Sequence, residues 1–217
     1  MNNFQKRVLT SLIALPLSIF FVVKGGYFLS FFLFFIFFVG VHETFTVFKK
    51  ATTRLFLLLL LTLSILSIFY LGVSTDKSLF LLYFIIAISI SSDVGGYVFG
   101  KTFKWKKLTK ISPNKTFSGV FGSYFCSFIC GITFDDLSGS SSYEFLLSDL
   151  TPVPEILLII IFSTVAQLGD LIISYFKRLE KIKDTGKILP GHGGIFDRID
   201  GLMFVAILGF VLYQFNT

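Results

Sequence analysis

Charge is scarce in this chain. Only 15% of its 217 residues are Asp, Glu, Lys or Arg, while 54% are hydrophobic and thirty are phenylalanine, more apolar surface than one soluble core could bury. That excludes a soluble domain and implies a membrane protein. Cysteine is nearly absent: Cys126 and Cys130 stand one helical turn apart in an apolar segment with no histidine or further cysteine beside them. Both read as small hydrophobes, not as a disulfide or metal site. No soluble module, linker or low-complexity tract interrupts the sequence, which leaves nucleic-acid binding without a platform. Nor is there an internal repeat, a feature of many secondary transporters. No small-residue cleavage site follows the first apolar run of MNNFQKRVLTSLIALPLSIFFVVKGG, so the start is expected to be a first helix and not a secretory leader.

What is present in quantity is apolar runs of roughly 15 to 22 residues, and about 20 helical residues cross the ~30 Å hydrocarbon layer. Seven spans are predicted, at residues 8–23, 27–41, 55–73, 79–99, 116–134, 156–176 and 202–215. The second and seventh are short, which leaves room for tilting or a re-entrant path. Threading them with the N-terminus inside puts 17 of the 19 Lys and Arg residues on one side, leaving Lys24 and Lys77 opposite, beside Asp135, Asp136, Glu144, Asp149 and Glu155. The positive-inside rule then predicts a cytosolic N-terminus and cytosolic polar loops in a plasma (inner) membrane. The net charge of +6 becomes a cytosolic basic face suited to anionic lipid or phosphate.

Two polar stretches carry the chemistry. In SSDVGGYVFGKTFKWKKLTKISPNKTFSG, residues 91–119, Asp93 ends the fourth span and is followed by Lys101, Lys104, Lys106, Lys107, Lys110 and Lys115 with Phe103, Trp105 and Phe117 between them. An ionisable group at that depth needs a partner or water, and cations mixed with aromatics suit anionic headgroups. Ser112, Thr116, Ser118 and Lys115 can hold phosphate oxygens. In residues 167–200, Asp170, Ser174 and Lys177 fall four and seven residues apart, on one helical face. Asp184, Asp197 and Asp200 surround a glycine-rich turn at 191–194 whose amides could approach a phosphate. Carboxylates crowded beside a membrane repel one another, so their grouping implies a hard cation such as Mg²⁺, and magnesium implies phosphate. A plainer account reads Asp197, Arg198 and Asp200 as a helix-capping network and Lys177, Arg178, Lys181 and Lys183 as a solvated stripe; the conjunction favours a phosphate-processing site.

Ser174, Lys177-Arg178, Lys183-Asp184, Gly186, Pro190, His192-Gly193-Gly194 and Asp197-Arg198-x-Asp200 resemble the signature of the CDP-diacylglycerol synthase family, integral membrane phosphatidate cytidylyltransferases. The QLGDL and SPNKTFSG segments, Asp93, Gly96, Tyr97, Gly100, Lys101 and the opening KRVLTSLIALPL are also similar to that family. The family usually has more residues and eight or nine spans, so the chain resembles a shortened version. It also has Ser118 where the family tends to carry an acidic residue. The resemblance implies condensation of CTP with phosphatidate to CDP-diacylglycerol and pyrophosphate in phospholipid biosynthesis. It further implies a paired-metal site, Mg²⁺ with a second metal ion that can be divalent or monovalent, held by Asp170 and Asp197 with Asp184 and Asp200 as second choices. Lys177, Arg178 and His192 complete the expected catalytic set. Ser174, Lys183, Arg198, Gly193, Gly194, Asp93, Lys101, Ser112, Lys115 and Thr116 are the expected substrate-binding set.

The expected architecture is thus all-α, a polytopic transmembrane helical bundle of about seven spans with its active site at the cytosolic face. It is one domain over residues 1–217, with variable N-terminal spans at 1–75 and a catalytic core at 79–217 that contains the signature at 174–200. CTP, phosphatidate, the bilayer and, as an open alternative, a second copy of the chain are its expected partners. Two rivals remain: another membrane lipid-phosphate transferase, although the D-G-x-x-A-R and G-x-x-x-D-x-x-x-D spacing of CDP-alcohol phosphotransferases is absent, and a secondary transporter with intramembrane Asp ion sites.

Overall fold

A computed structural model of the chain describes residues 3–109, 112–138, 155–186, 188 and 193–216. Expectations on Lys110, Glu144, Asp149, Pro190, Gly191 and His192 lie outside the described residues. Those described form seven helices: α1 (Asn3–Lys24), α2 (Gly26–Val47), α3 (Ala51–Val73), α4 (Asp76–Phe103), α5 (Phe117–Ser138), α6 (Glu155–Leu179) and α7 (Phe196–Asn216). The fold is the expected all-α polytopic membrane bundle. Five helices, α2 to α6, are long and apolar enough to cross a membrane, and Leu12–Lys24 of α1 is a shorter apolar stretch. In α7 the 14-residue stretch 202–215, apolar but for Gln214, rises only about 21 Å. To traverse ~30 Å the helix must draw its charged first turn toward the membrane.

Helix α2 runs past the predicted span end at residue 41 and takes in His42, Glu43 and Thr44. An aromatic sequence continues through Phe45 to Phe48, and the Thr44 hydroxyl donates to the Gly40 carbonyl at 2.8 Å, so nothing local stops the helix there. The thirty phenylalanines divide by face. Phe31, Phe34, Phe35 and Phe38 point outward, as a lipid-facing surface requires, while Phe84 and Phe162 are fully buried.

The bundle centre is Leu29, Leu71, Leu82, Ile85, Ile88, Phe162, Ala166 and Val205, contributed by α2, α3, α4, α6 and α7. A second cluster of Phe48, Leu57, Leu61, Ile173, Phe196 and Met203 lies at the end where α2, α3, α6 and α7 meet. Helices α4 and α5 approach backbone to backbone: a Cβ at Gly95 would collide with the Gly122 carbonyl, and one at Gly122 with the Gly95 carbonyl at 2.5 Å. Small residues at such contacts replace the hydrophobic drive that lipid removes. Buried hydroxyls tie the same layer, with Ser92 and Ser163 oxygens 3.0 Å apart and Ser123 donating to the Ser92 carbonyl at 2.7 Å.

Between α4 and α5 the chain doubles back. Leu108 N–H donates to the Lys115 carbonyl at 2.8 Å and Phe117 N–H to the Lys106 carbonyl at 3.1 Å. Ser112, Pro113, Asn114 and Lys115 close a turn through Lys115 N–H to Ser112 O at 3.1 Å, with proline where its fixed φ suits the second position. Thr116 then caps α5 by accepting from Gly119 N–H at 3.1 Å. The result aims Lys115 back at α6.

Candidate active site

Helix α6 runs into the basic end of the bundle and α7 runs out of it, and their pairing is antiparallel. Lys177 meets Asp197, Asp170 lies within reach of Asp200, and Gly201 packs on the Ala166 carbonyl. The acidic groups therefore fall into two tiers along this helix pair. Seven residues of α6 separate Asp170 from Lys177, about 10 Å.

The inner tier joins three helices. Asp93 of α4, Asp170 of α6 and Asp200 of α7 interact electrostatically, and Asp170 and Asp200 come within hydrogen-bonding reach. Lys115 Nζ sits 2.7 Å from Asp170 Oδ2 and 3.2 Å from the Gln167 carbonyl. Ser174 donates to Asp170 Oδ1 at 3.3 Å, so the predicted common face of Asp170, Ser174 and Lys177 is real. Asp200 accepts from Gly201 N–H at 2.9 Å and is almost fully buried. Asp93 is accessible at its surface yet closely surrounded, within reach of Lys115 and Arg198. That combination describes the wall of a cleft and not a convex surface.

The outer tier is saturated. Asp197 Oδ1 receives Lys177 Nζ at 2.7 Å, and Asp197 Oδ2 receives Thr185 N–H at 2.8 Å, Gly194 N–H at 3.0 Å and the Thr185 hydroxyl at 3.1 Å. Gly193, at φ 86°, allows this closure, since a Cβ there would meet Asp197 Oδ2 at 2.5 Å. Glu43 of α2 completes the tier. It accepts from Ile195 N–H at 2.8 and 2.9 Å, from Phe196 N–H at 3.4 Å and from the Thr185 hydroxyl at 3.4 Å. These amides head α7 and would otherwise lack partners. The sequence-based expectation that Gly194 offers its amide to a phosphate meets an amide already given to Asp197.

The remaining expected residues lie around the tiers. Lys183, Asp184, Arg178 and Arg198 are exposed at the same end, and Arg178 Nη1 donates to the Ile182 carbonyl at 3.0 Å. Lys101 lies over the Tyr97 ring at 5.5 Å. Thr116 serves α5 as its cap, its hydroxyl 2.9 Å from that of Ser118, and Ser112 belongs to the turn that presents Lys115. Glu43 was outside the sequence-based set. An ionisable residue closing an apolar run was the available signal, but its partners are 142 to 153 residues away.

The donor chemistry suits a hard divalent ion at the inner tier, where carboxylate oxygens from three helices gather around one lysine. Among the described residues no group of three or more Asp, Glu, His or Cys side chains is placed to hold a metal ion by itself. A magnesium ion does not demand one, since it binds through one or two carboxylates together with substrate phosphates and water.

Fold and site together define an all-α integral membrane protein with carboxylates and cations gathered at one end of its bundle. Residues 48–216 match the family model described as the cytidylyltransferase family, and the chain belongs to that family. It is similar to the phosphatidate cytidylyltransferases of Staphylococcus aureus strain COL and Staphylococcus epidermidis. To each it is 42% identical over 125 residues, 57% of this chain and 45% of the relative. To the phosphatidate cytidylyltransferase of Staphylococcus haemolyticus it is 38% identical over 148 residues, 67% of this chain and 54% of the relative. The chain spans about half the length of the curated relatives it matches.

Proposed function

We propose that the chain is a phosphatidate cytidylyltransferase, condensing CTP with phosphatidate to give CDP-diacylglycerol and pyrophosphate, with residues 1–217 acting as one domain. The observation that carries this reading is the meeting of Asp93, Asp170 and Asp200 from three helices beside Lys115 in a chain of this family. A phosphate oxygen of the lipid attacks the α-phosphorus of CTP, forming a new P–O bond. The bond from that phosphorus to the bridging oxygen breaks, and pyrophosphate leaves with the electron pair. The nucleophile is already anionic, so no strong base is required; the obstacle is repulsion between anions.

The chain's own residues address that obstacle. Asp170 and Asp197 are the proposed metal ligands, with Asp200 and Asp93 beside Asp170 and Asp184 near the outer tier. An ion held there, Mg²⁺ with a second divalent or monovalent ion, would draw charge from the α-phosphate and the leaving pyrophosphate. Lys115, Lys177, Lys183, Arg178 and Arg198 supply fixed positive charge around the cleft, the two arginines as bidentate phosphate donors. Ser174 orients Asp170. We assign the site to the cytosolic face of the membrane from the one-sided distribution of Lys and Arg; a homodimer is the proposed assembly.

Labelled CTP, phosphatidate and Mg²⁺ supplied to the purified, folded chain should yield labelled chloroform-soluble product. Absence of that product, with the protein shown to be folded, overturns the reading and favours an ion-transporting role for Asp93 and Asp170.

A further inference from the structure

Glu43 is only 1% exposed, and none of the ion pairs among the described residues involves it. A carboxylate taken out of water without a cation requires compensation, and here main-chain N–H groups at the head of α7 provide it. Successive amides of one turn are divided between two acids: Gly194 N–H goes to Asp197, Ile195 and Phe196 N–H to Glu43. Thr185, fully buried, stands within reach of both carboxylates, but a hydroxyl has one proton and donates to one at a time. The two carboxylates also repel each other. An arrangement serving stability alone would not bring a second acid from a distant helix beside Asp197, which already caps Gly194.

We propose that Glu43 is a positioning residue of the candidate active site, fixing the turn at residues 194–196 and through it the orientation of the Asp197 carboxylate. Helix α2, which lies ahead of the matched residues 48–216, thereby becomes part of the site. The kinetic half of this claim rests on the cytidylyltransferase reading; the structural half does not.

Gly186 offers a way to test the contact from the other side. A Cβ there would have Glu43 as its nearest neighbour, at 2.6 Å from Oε1, 3.1 Å from Cδ and 3.4 Å from Cγ. Four full-length proteins are compared with wild type: Glu43→Gln, Glu43→Ala, Gly186→Ala and the Glu43→Ala/Gly186→Ala double variant. Amide hydrogen exchange at residues 194–196 should accelerate about tenfold in Glu43→Ala and less in Glu43→Gln, which keeps one acceptor, while residues 205–213 of α7 are unchanged. Gly186→Ala should accelerate exchange in the wild-type background and have no further effect once Glu43 is alanine, the non-additivity expected of a shared contact.

In the kinetic arm, with each variant shown to be fully folded at the assay temperature, the Mg²⁺ concentration giving half-maximal rate should rise roughly fivefold or more in Glu43→Ala and partly recover in Glu43→Gln. Unchanged exchange at 194–196, equal acceleration along all of α7, or additive effects of the two substitutions would each overturn the proposal. If Glu43→Ala does not fold, Glu43→Gln and Gly186→Ala carry the same comparison. If wild-type protein makes no labelled lipid, the enzymatic reading fails while the exchange data still decide the role of Glu43.

Discussion

The two acidic tiers differ in how their charge is met. Around Asp197 and Glu43 the carboxylate oxygens are occupied by a lysine, a hydroxyl, the Thr185 amide and the three successive amides of residues 194–196. In the inner tier Lys115 and Ser174 contact Asp170, Lys115 and Arg198 lie within reach of Asp93, and Asp200 takes the Gly201 amide. In the outer tier only the Lys177 contact on Asp197 Oδ1 is open to exchange for an ion, whereas the inner tier sets three acids against Lys115 and Arg198 and retains a demand for positive charge. In a membrane protein, ionisable groups left with such residual demand mark a candidate ligand site. The first tier fixes the Asp197 carboxylate in place, and the second holds acids that still call for counter-charge.

Substitution separates them most sharply. Asp170→Asn should abolish turnover, a loss of at least about a hundredfold, with little change in thermal midpoint because it also relieves repulsion on Asp200 and Asp93. Asp197→Asn should abolish turnover and destabilise as well. It weakens the acceptor facing Lys177, whose side chain is 11% exposed, and breaking a buried pair costs roughly 3 to 5 kcal/mol. Activity together with a melting curve for each variant tests this. Equal melting points would remove the distinction between the tiers.

Divalent ions sharpen the same contrast without substrate. At a concentration about one hundred times its dissociation constant, Mg²⁺ binding at the inner tier should stabilise wild-type protein by about 2.7 kcal/mol. The shift should vanish in Asp170→Asn and on adding a chelator. Lys115→Gln should have a smaller and divided effect. Lys115 and Asp170 are 23% and 31% exposed, so their pair contributes at most about 1 kcal/mol to stability. Activity should fall about tenfold with the loss of fixed charge, yet Mg²⁺ should bind more tightly once the competing ammonium is gone. Weaker Mg²⁺ binding in this variant would mean that Lys115 organises Asp170 instead of competing at it.

The membrane class and the seven helices among the described residues were legible because a long apolar run is a local property that the hydrocarbon thickness demands, although only five of the seven expected spans are long and apolar enough to cross. The common face of Asp170, Ser174 and Lys177 was legible too, since helical spacing fixes it. Which carboxylates converge was not. Asp93 meets Asp170 through the packing of α4 on α6, tied by Ser92 and Ser163, and the fold-back delivers Lys115 to them; neither leaves a trace in spacing along the chain. Glu43 was hidden twice: α2 reads as ending before it, and the donors it satisfies are backbone amides, identical in every sequence. The glycines at 193 and 194 read as an open phosphate cradle, and the structure gives their turn a carboxylate occupant. Side-chain signals predicted which residues are polar; backbone donors decided which of them are already satisfied.

The smallest predicted effect concerns a third carboxylate, outside both tiers. Glu180 follows α6 and accepts from Lys50 N–H at 3.0 Å and Lys49 N–H at 3.3 Å, tying the α2–α3 connection to the site end of α6. Removal from water works against its ionisation, but the Lys50 and Lys49 amides prevail and hold the Glu180 carboxyl below its usual range. A carboxyl with a depressed folded-state pKa contributes stability above its unfolded value and loses it as pH falls through the folded one. The tie is therefore complete at neutral pH and released only in acid, below the ordinary carboxylate range. Glu180→Gln should leave turnover within about twofold, the behaviour of a solvent-screened contact. It should raise hydrogen exchange at Lys49 and Lys50 near neutrality and remove the acid-dependent rise seen there in wild type. A large loss of turnover would show that the α2–α3 connection, and with it the placement of Glu43, depends on this exposed contact as well as on the buried one.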